Sequence, residues 1–144
     1  MTVIKQDDLI ASVADALQFI SYYHPVDFIQ AMHKAWQREQ SPAAKDAIAQ
    51  ILTNSRMCAE GHRPICQDTG IVNVFLKVGM DVRWEGFEGH SLEDAVNAGV
   101  RKAYLDPDNL LRASILDDPL FARRNTRDNT PAVIHTEIVP GARL

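Results

Sequence analysis

The chain has 144 residues, with 15 Lys and Arg against 19 Asp and Glu, a formal net charge of −4. That length suits one domain of ordinary size, and 46% hydrophobic with 24% charged residues argues against wholesale disorder. The acidic balance speaks against a nucleic-acid partner held by general basic charge, while leaving room for a local anion site.

No apolar run approaches the ~20 residues that a membrane-spanning helix needs. The N-terminal Met1-Thr2-Val3-Ile4-Lys5-Gln6-Asp7-Asp8 carries acid where a signal peptide carries base, and no apolar stretch follows it. The expectation is a cytoplasmic chain without a membrane or nucleic-acid partner. The two cysteines, Cys58 and Cys66, are too few for a disulfide framework.

The first part of the chain reads as helical. Asp7 or Asp8 can cap a helix in which Leu9, Ile10, Val13, Leu17 and Ile20 recur at helical spacing. It must stop before His24-Pro25, because the residue preceding proline is pushed out of the α region. Pro25 suits the first turn of a second helix with Phe28, Ile29, Met32 and Trp36 on its apolar stripe. Ser41-Pro42 restarts the pattern as cap and first helical residue. Ala44, Ala47, Ile48, Ile51 and Leu52 form the third apolar face, and Gly61 is the expected stop.

After Pro64 the period changes from helical to alternating. Over 71–78, Val72, Val74, Leu76 and Val78 face one way, while Ile71, Asn73, Phe75 and Lys77 face the other, which predicts a strand. A short strand over 82–84 is expected to pair with it through Gly79-Met80-Asp81. Ser91 and Asp94 resemble a capping box opening a helix with Leu92, Val96, Val100 and Ala103 inward. It should end before Asp106-Pro107. The polar stretch 106–130 is weakly patterned, with a helical turn expected around Leu110, Leu111, Ile115 and Leu116. A last alternating strand covers 132–139. Trp36 and Trp84 read as core or interface anchors. The pattern as a whole predicts an α+β (mixed α/β) fold, mainly helical over 1–62 and mixed strand and helix over 63–144.

The segment richest in chemistry is Arg63-Pro64-Ile65-Cys66-Gln67-Asp68-Thr69-Gly70, which leads straight into the first long strand. Gly70 permits a tight path into the strand, and a loop poised on a rigid strand is where ligand-contacting groups are commonly set. A thiolate there could act as a nucleophile, which wants a histidine base. It could ligate zinc, which wants three more ligands. It could hold one iron of an iron–sulfur cluster, which needs several thiolates. On residue type alone, a small residue packed in a turn is the commoner outcome. Seven residues separate Cys58 from Cys66, which matches no zinc knuckle, and Cys58 reads as core. His24, His33, His62, His90 and His135 show no metal-ligand spacing. His62 is near enough in sequence to serve Cys66 as a base, although a solvated loop histidine is the plainer reading. Arg112, Arg123, Arg124 and Arg127 read as surface charge, with the alternative that one of them clamps a carboxylate bidentately.

The string Ile65-Cys66-Gln67-Asp68-Thr69-Gly70, preceded by Arg63-Pro64 and followed by an apolar strand, resembles the cysteine loop of class I fumarate hydratases. These are iron–sulfur hydro-lyases that also include the L(+)-tartrate dehydratases. Asn125-Thr126-Arg127-Asp128-Asn129-Thr130-Pro131-Ala132 is similar to the family's Asn-Thr…Asn-x-Pro-Ala segment. Ser55-Arg56-Met57-Cys58-Ala59-Glu60 also resembles the stretch before the loop. The likeness spans nearly the whole chain, and Ile71 departs from a position that is often small or hydroxylated.

The resemblance implies a [4Fe–4S] cluster held by three cysteines, with the fourth iron left for substrate. By that likeness Cys66 matches the first metal ligand. Gln67 and Asp68 match residues lining the substrate pocket, with Asp68 handling a proton. Arg112, in Asn109-Leu110-Leu111-Arg112, matches an arginine that binds a substrate carboxylate. The implied substrate is a small dicarboxylate, fumarate or malate, and the implied assembly is a homodimer completed by further regions or a second subunit. An open iron also implies oxygen sensitivity. Only one of three cysteine ligands is present, so residues 1–144 are expected to be the N-terminal part of the enzyme. Two other readings are an L(+)-tartrate dehydratase of the same family and a non-catalytic helical interaction module in which Cys66 is merely structural.

Overall fold

The computed structural model describes residues 2–108 and 111–144. Along the chain run β1 (Val3–Lys5), α1 (Gln6–Tyr22), α2 (Val26–Arg38), α3 (Pro42–Gly61), β2 (Asn73–Gly79), β3 (Arg83–Glu85), α4 (Leu92–Leu105), β4 (Leu116–Asp117), β5 (Arg124–Asn125) and β6 (Val133–Val139). The fold is therefore mixed α+β, as the pattern predicts. The chain divides into two compact units, Gln18–Gln67 and a second formed by Met1–Leu17 with Asp68–Leu144. No helix among the described residues is long and apolar enough to cross a membrane.

In the Gln18–Gln67 unit, α2 packs on α3. Proline sets both helix starts: Pro25 occupies the N-cap of α2, and Pro42 is the first residue of α3 behind Ser41. Polar and aromatic pairs tie the unit together. His24 Nδ1 lies 3.0 Å from Ser55 Oγ, and the His24 ring stacks on Phe28. The Lys45 ammonium sits 4.6 Å over the half-buried Trp36 ring, a cation–π contact in place of core burial. The stop of α3 differs from expectation by one residue. Gly61 is still helical, and His62 takes the left-handed conformation, φ 48°, with its N–H donating to the Cys58 carbonyl. The His62 ring stacks against Tyr22, which favours this side chain over a bare glycine.

The other unit is built around α4 and the β2–β6 pair. Its core joins Ala14 and Leu17 of α1, Val72, Leu111, and Val100, Ala103 and Tyr104 of α4. Val96 and Val100 are fully buried. The expected capping box is present: the Asp94 N–H donates to Ser91 Oγ at 3.0 Å, and the Ser91 N–H donates to Asp94 Oδ2 at 2.8 Å. β2 and β6 run parallel, in register from Asn73 with Val133 to Gly79 with Val139. A parallel pair requires a long crossover, and the segment containing α4 provides it.

Three expectations fail here, each for a local reason. The strand over 82–84 does not fold back on β2; β3 pairs in parallel with β1, a three-residue strand with no sequence signal. The hairpin is pre-empted because the N–H groups of Gly79, Met80 and Asp81 donate to the carbonyls of Arg143, Val139 and Gly141, at 2.8 to 2.9 Å. Trp84 is 38% exposed and edge-on to Phe87, which removes the core half of its core-or-interface reading. The helical turn around Leu111, Ile115 and Leu116 is replaced by extended chain and the antiparallel β4–β5 pair. Its backbone donors are taken by side chains of other segments. Leu110, which belongs to the same expectation, lies outside the described residues.

Candidate functional site

Cys66 and Gln67 end the Gln18–Gln67 unit, and both are exposed. The chain just before them is pinned. The Ile65 N–H donates to the Ser21 carbonyl at 2.9 Å, and Asn54 Nδ2 donates to the Ile65 carbonyl at 2.9 Å. Cys58 is buried beneath, its thiol directed at Asn54 Oδ1 and the Pro64 carbonyl. The core reading of Cys58 holds. For Cys66 the packed-residue alternative fails, because the thiol stands at the surface on an anchored loop. Neither cysteine forms a disulfide.

Asp68 and Arg112 belong to the other unit, and here the fold brings two sequence-predicted residues into one constellation. Asp68 Oδ1 accepts from the Gly70 N–H at 2.9 Å and from Ser114 Oγ at 3.4 Å. Gly70 has φ +66°, the left-handed turn that its sequence position suggests. Between these residues, Thr69 clamps the arginine's backbone. Thr69 Oγ1 accepts from the Arg112 N–H at 3.1 Å and donates to the Arg112 carbonyl. Tyr104 Oη donates to the Thr69 carbonyl at 3.3 Å, anchoring the loop to α4. Asp68 and Arg112 are both exposed, the first held through its Oδ1 and the second through its backbone. Asn109 and Leu110, the first half of the arginine's motif, lie outside the described residues.

The Asn125–Ala132 stretch turns out to be a bracket. Asn129 is 0% exposed at φ 59°, a backbone state that asparagine tolerates better than most residues. Its Oδ1 accepts from the N–H groups of Ser114 at 2.7 Å and Ile115 at 3.1 Å, and its Nδ2 donates to the Gly70 carbonyl at 3.0 Å. Asn125 Nδ2 donates to the Ala113 carbonyl at 2.7 Å. The Ala132 N–H donates to Asn97 Oδ1 on α4 at 2.8 Å. Burial raises the Asp128 pKa, but the Thr130 N–H, the Thr130 hydroxyl and the Arg101 guanidinium outweigh it and hold the carboxyl below its ordinary 3.8. A carboxylate lowered in this way stabilises the fold above that ordinary value and loses the contribution as pH falls through the lowered one.

Residues 10–144 match the family described as fumarate hydratase (Fumerase). The chain belongs to the fumarate hydratase family. A relative from Methanocaldococcus jannaschii, named "Putative L(+)-tartrate dehydratase subunit alpha", is 31% identical over 91 residues, covering 63% of this chain and 31% of that protein. The "Fumarate hydratase class I, anaerobic" of Escherichia coli K12 is 33% identical over 103 residues, covering 72% of this chain and 18% of its own length. The "Fumarate hydratase class I, aerobic" of the same strain is 34% identical over 103 residues, again 18% of its length. The chain thus spans less than a third of each of these relatives.

Fumarate hydratase membership gives the thiol a context. Among the described residues no three His, Cys, Asp or Glu side chains converge as a metal-ligand group. Cys58 is engaged in packing, which leaves Cys66 as the one surface thiol. The donor type suits an iron–sulfur centre; the number of donors does not. Arg123 and Arg127 occupy left-handed backbone positions, φ 49° and φ 69°. Sequence reading passed over Thr69, Ser114 and Asn129 as individual actors. The available signal was the Asn-x-Pro-Ala run ahead of a strand, where asparagine is a candidate for a left-handed turn.

Proposed function

We propose that this chain is the N-terminal part of an iron–sulfur hydro-lyase that interconverts fumarate and (S)-malate in the cytoplasm. The carrying observation is the constellation around Thr69, which clamps the Arg112 backbone, while the Gly70 N–H and the Ser114 hydroxyl hold Asp68 Oδ1 and both residues stay exposed. Arg112 supplies a fixed cation with a two-pronged donor geometry for one substrate carboxylate. Gln67 offers an amide to orient the substrate. Asp68 holds or releases the proton next to the second carboxylate, a task that needs a positioned carboxyl group. Cys66 is one of three cysteines that hold a [4Fe–4S] cluster in the complete protein, and a bound cluster supplies the Lewis acid for the hydroxyl. The remaining thiolates come from further regions or a second subunit, and the complete enzyme is a homodimer.

The second reading is an L(+)-tartrate dehydratase, favoured by the likeness to the Methanocaldococcus jannaschii relative. Both substrates are four-carbon dicarboxylates, so the same charge pattern serves each. Assay of the complete enzyme on malate and on tartrate separates them: turnover of malate with none of tartrate supports the first reading, and the reverse supports the second.

The isolated 144-residue chain is expected to hold no stable cluster and to show no hydratase turnover, since it carries one ligand of three. Anaerobic reconstitution with iron and sulfide, followed by desalting and visible absorbance, checks this. Retained colour with hydration of fumarate would refute it.

A further inference from the structure

The structure assigns to Asn129 the role of a positioning residue that sets the placement of Asp68 relative to Arg112. This assignment rests on the proposed dicarboxylate site for its functional meaning, and on the hydrogen-bond network alone for its physical content. The network is a closed circuit. Asn129 Nδ2 holds the Gly70 carbonyl, and the N–H of the same glycine holds Asp68 Oδ1. Asn129 Oδ1 holds the Ser114 N–H, and the Ser114 hydroxyl returns to Asp68 Oδ1. Arg112 lies two residues before Ser114 and is clamped to Thr69, which lies between Asp68 and Gly70. A single buried amide thus joins the loop that carries the carboxylate to the segment that carries the guanidinium.

The amide's orientation is fixed by its partners. Two N–H groups require an oxygen on one side, and a carbonyl requires an N–H on the other. Aspartate is nearly isosteric and keeps the oxygen that faces Ser114 and Ile115. It places a second oxygen against the Gly70 carbonyl, so it breaks one arm of the circuit. Glycine keeps the φ 59° backbone without strain and removes both arms. The two variants therefore separate the side chain's contribution from that of the backbone conformation.

Amide hydrogen exchange on the 144-residue chain, read by two-dimensional NMR, is the test. Asn129→Gly should accelerate exchange at Gly70 and Arg112 by at least about tenfold more than at Val74 and Leu76 in the β2–β6 pair, the pattern of a local opening. Asn129→Asp should produce the same selectivity at Gly70 with a smaller effect at Ser114. Equal acceleration at all these amides would mean that Asn129 contributes only to global stability, and would overturn the assignment. No change at Gly70 and Arg112 would overturn it as well. The measurement contains no substrate, so it fails or succeeds independently of the dicarboxylate reading. That reading is tested separately in the complete enzyme by turnover of malate and of tartrate; turnover of neither counts against the substrate class and leaves the exchange result to decide the positioning role.

Discussion

Arg112→Ala in the complete enzyme is expected to lower kcat/KM for fumarate or malate by about 10²–10³-fold, equivalent to about 3–4 kcal/mol for a truncated charged contact to substrate. Folding should be nearly untouched. The Arg112 side chain is exposed, and its backbone is held by Thr69 through main-chain atoms that alanine also has. Surface replacements of that kind usually change stability by less than about 0.5 kcal/mol. Arg112→Lys keeps the charge and loses the planar fork, so it should recover only part of the deficit. Steady-state kinetics alongside thermal melts check the pair. Wild-type kcat/KM in Arg112→Ala would remove this residue from the site, and a large fall in melting temperature would show that its side chain is structural.

A large stability effect is expected at Gly99. This glycine is buried on α4 against α1, and a Cβ there would lie 2.7 Å from Val13 Cβ and 2.9 Å from the Ile10 carbonyl oxygen. A side-chain atom can shift, but a helix carbonyl cannot move without moving α1. Alanine would gain about 1 kcal/mol of helix propensity over glycine, set against about 1–3 kcal/mol for overpacking. Gly99→Ala should therefore destabilise modestly. Gly99→Val, which adds two more methyl groups, should cost about 3 kcal/mol or more and lower the melting temperature by roughly 10 °C in a chain of this size. Val13→Ala should partly rescue Gly99→Ala, because the two residues contact each other and their effects are coupled. A more stable Gly99→Ala would contradict the close approach of α1 to α4.

The helices were legible because their signals are local. Proline at the starts of α2 and α3, the Ser91–Asp94 box and the apolar spacing of α4 are each read within one or two turns of chain. Burial over 72–78 follows the alternation, with Val72 and Val78 inside and Phe75 outside. Strand pairing was not legible, because β1 is three residues long and its partner begins some eighty residues later. No local pattern encodes that choice; the C-terminal turn decides it by occupying the donors at the end of β2. Much the same holds at the site. Cys66, Gln67, Asp68 and Arg112 are proposed from a contiguous motif and its resemblance, whereas the hydrogen bonds of Thr69 and Asn129 reach partners 43 and 59 residues away. A helical reading of the segment after Arg112 failed for the same reason, since Asn129 captures the Ser114 and Ile115 N–H groups that a helix would have used.

The account centres on Cys66 as a metal ligand, and its most direct test is iron and sulfide content of the anaerobically purified complete enzyme with Cys66→Ser. A serine hydroxyl conserves size and polarity at an exposed position, so the polypeptide should fold as before. The account predicts that the variant loses the visible absorbance of the cluster and at least about 10³-fold in hydratase turnover, a change of about 4 kcal/mol in the barrier. Full iron content with undiminished turnover would contradict it.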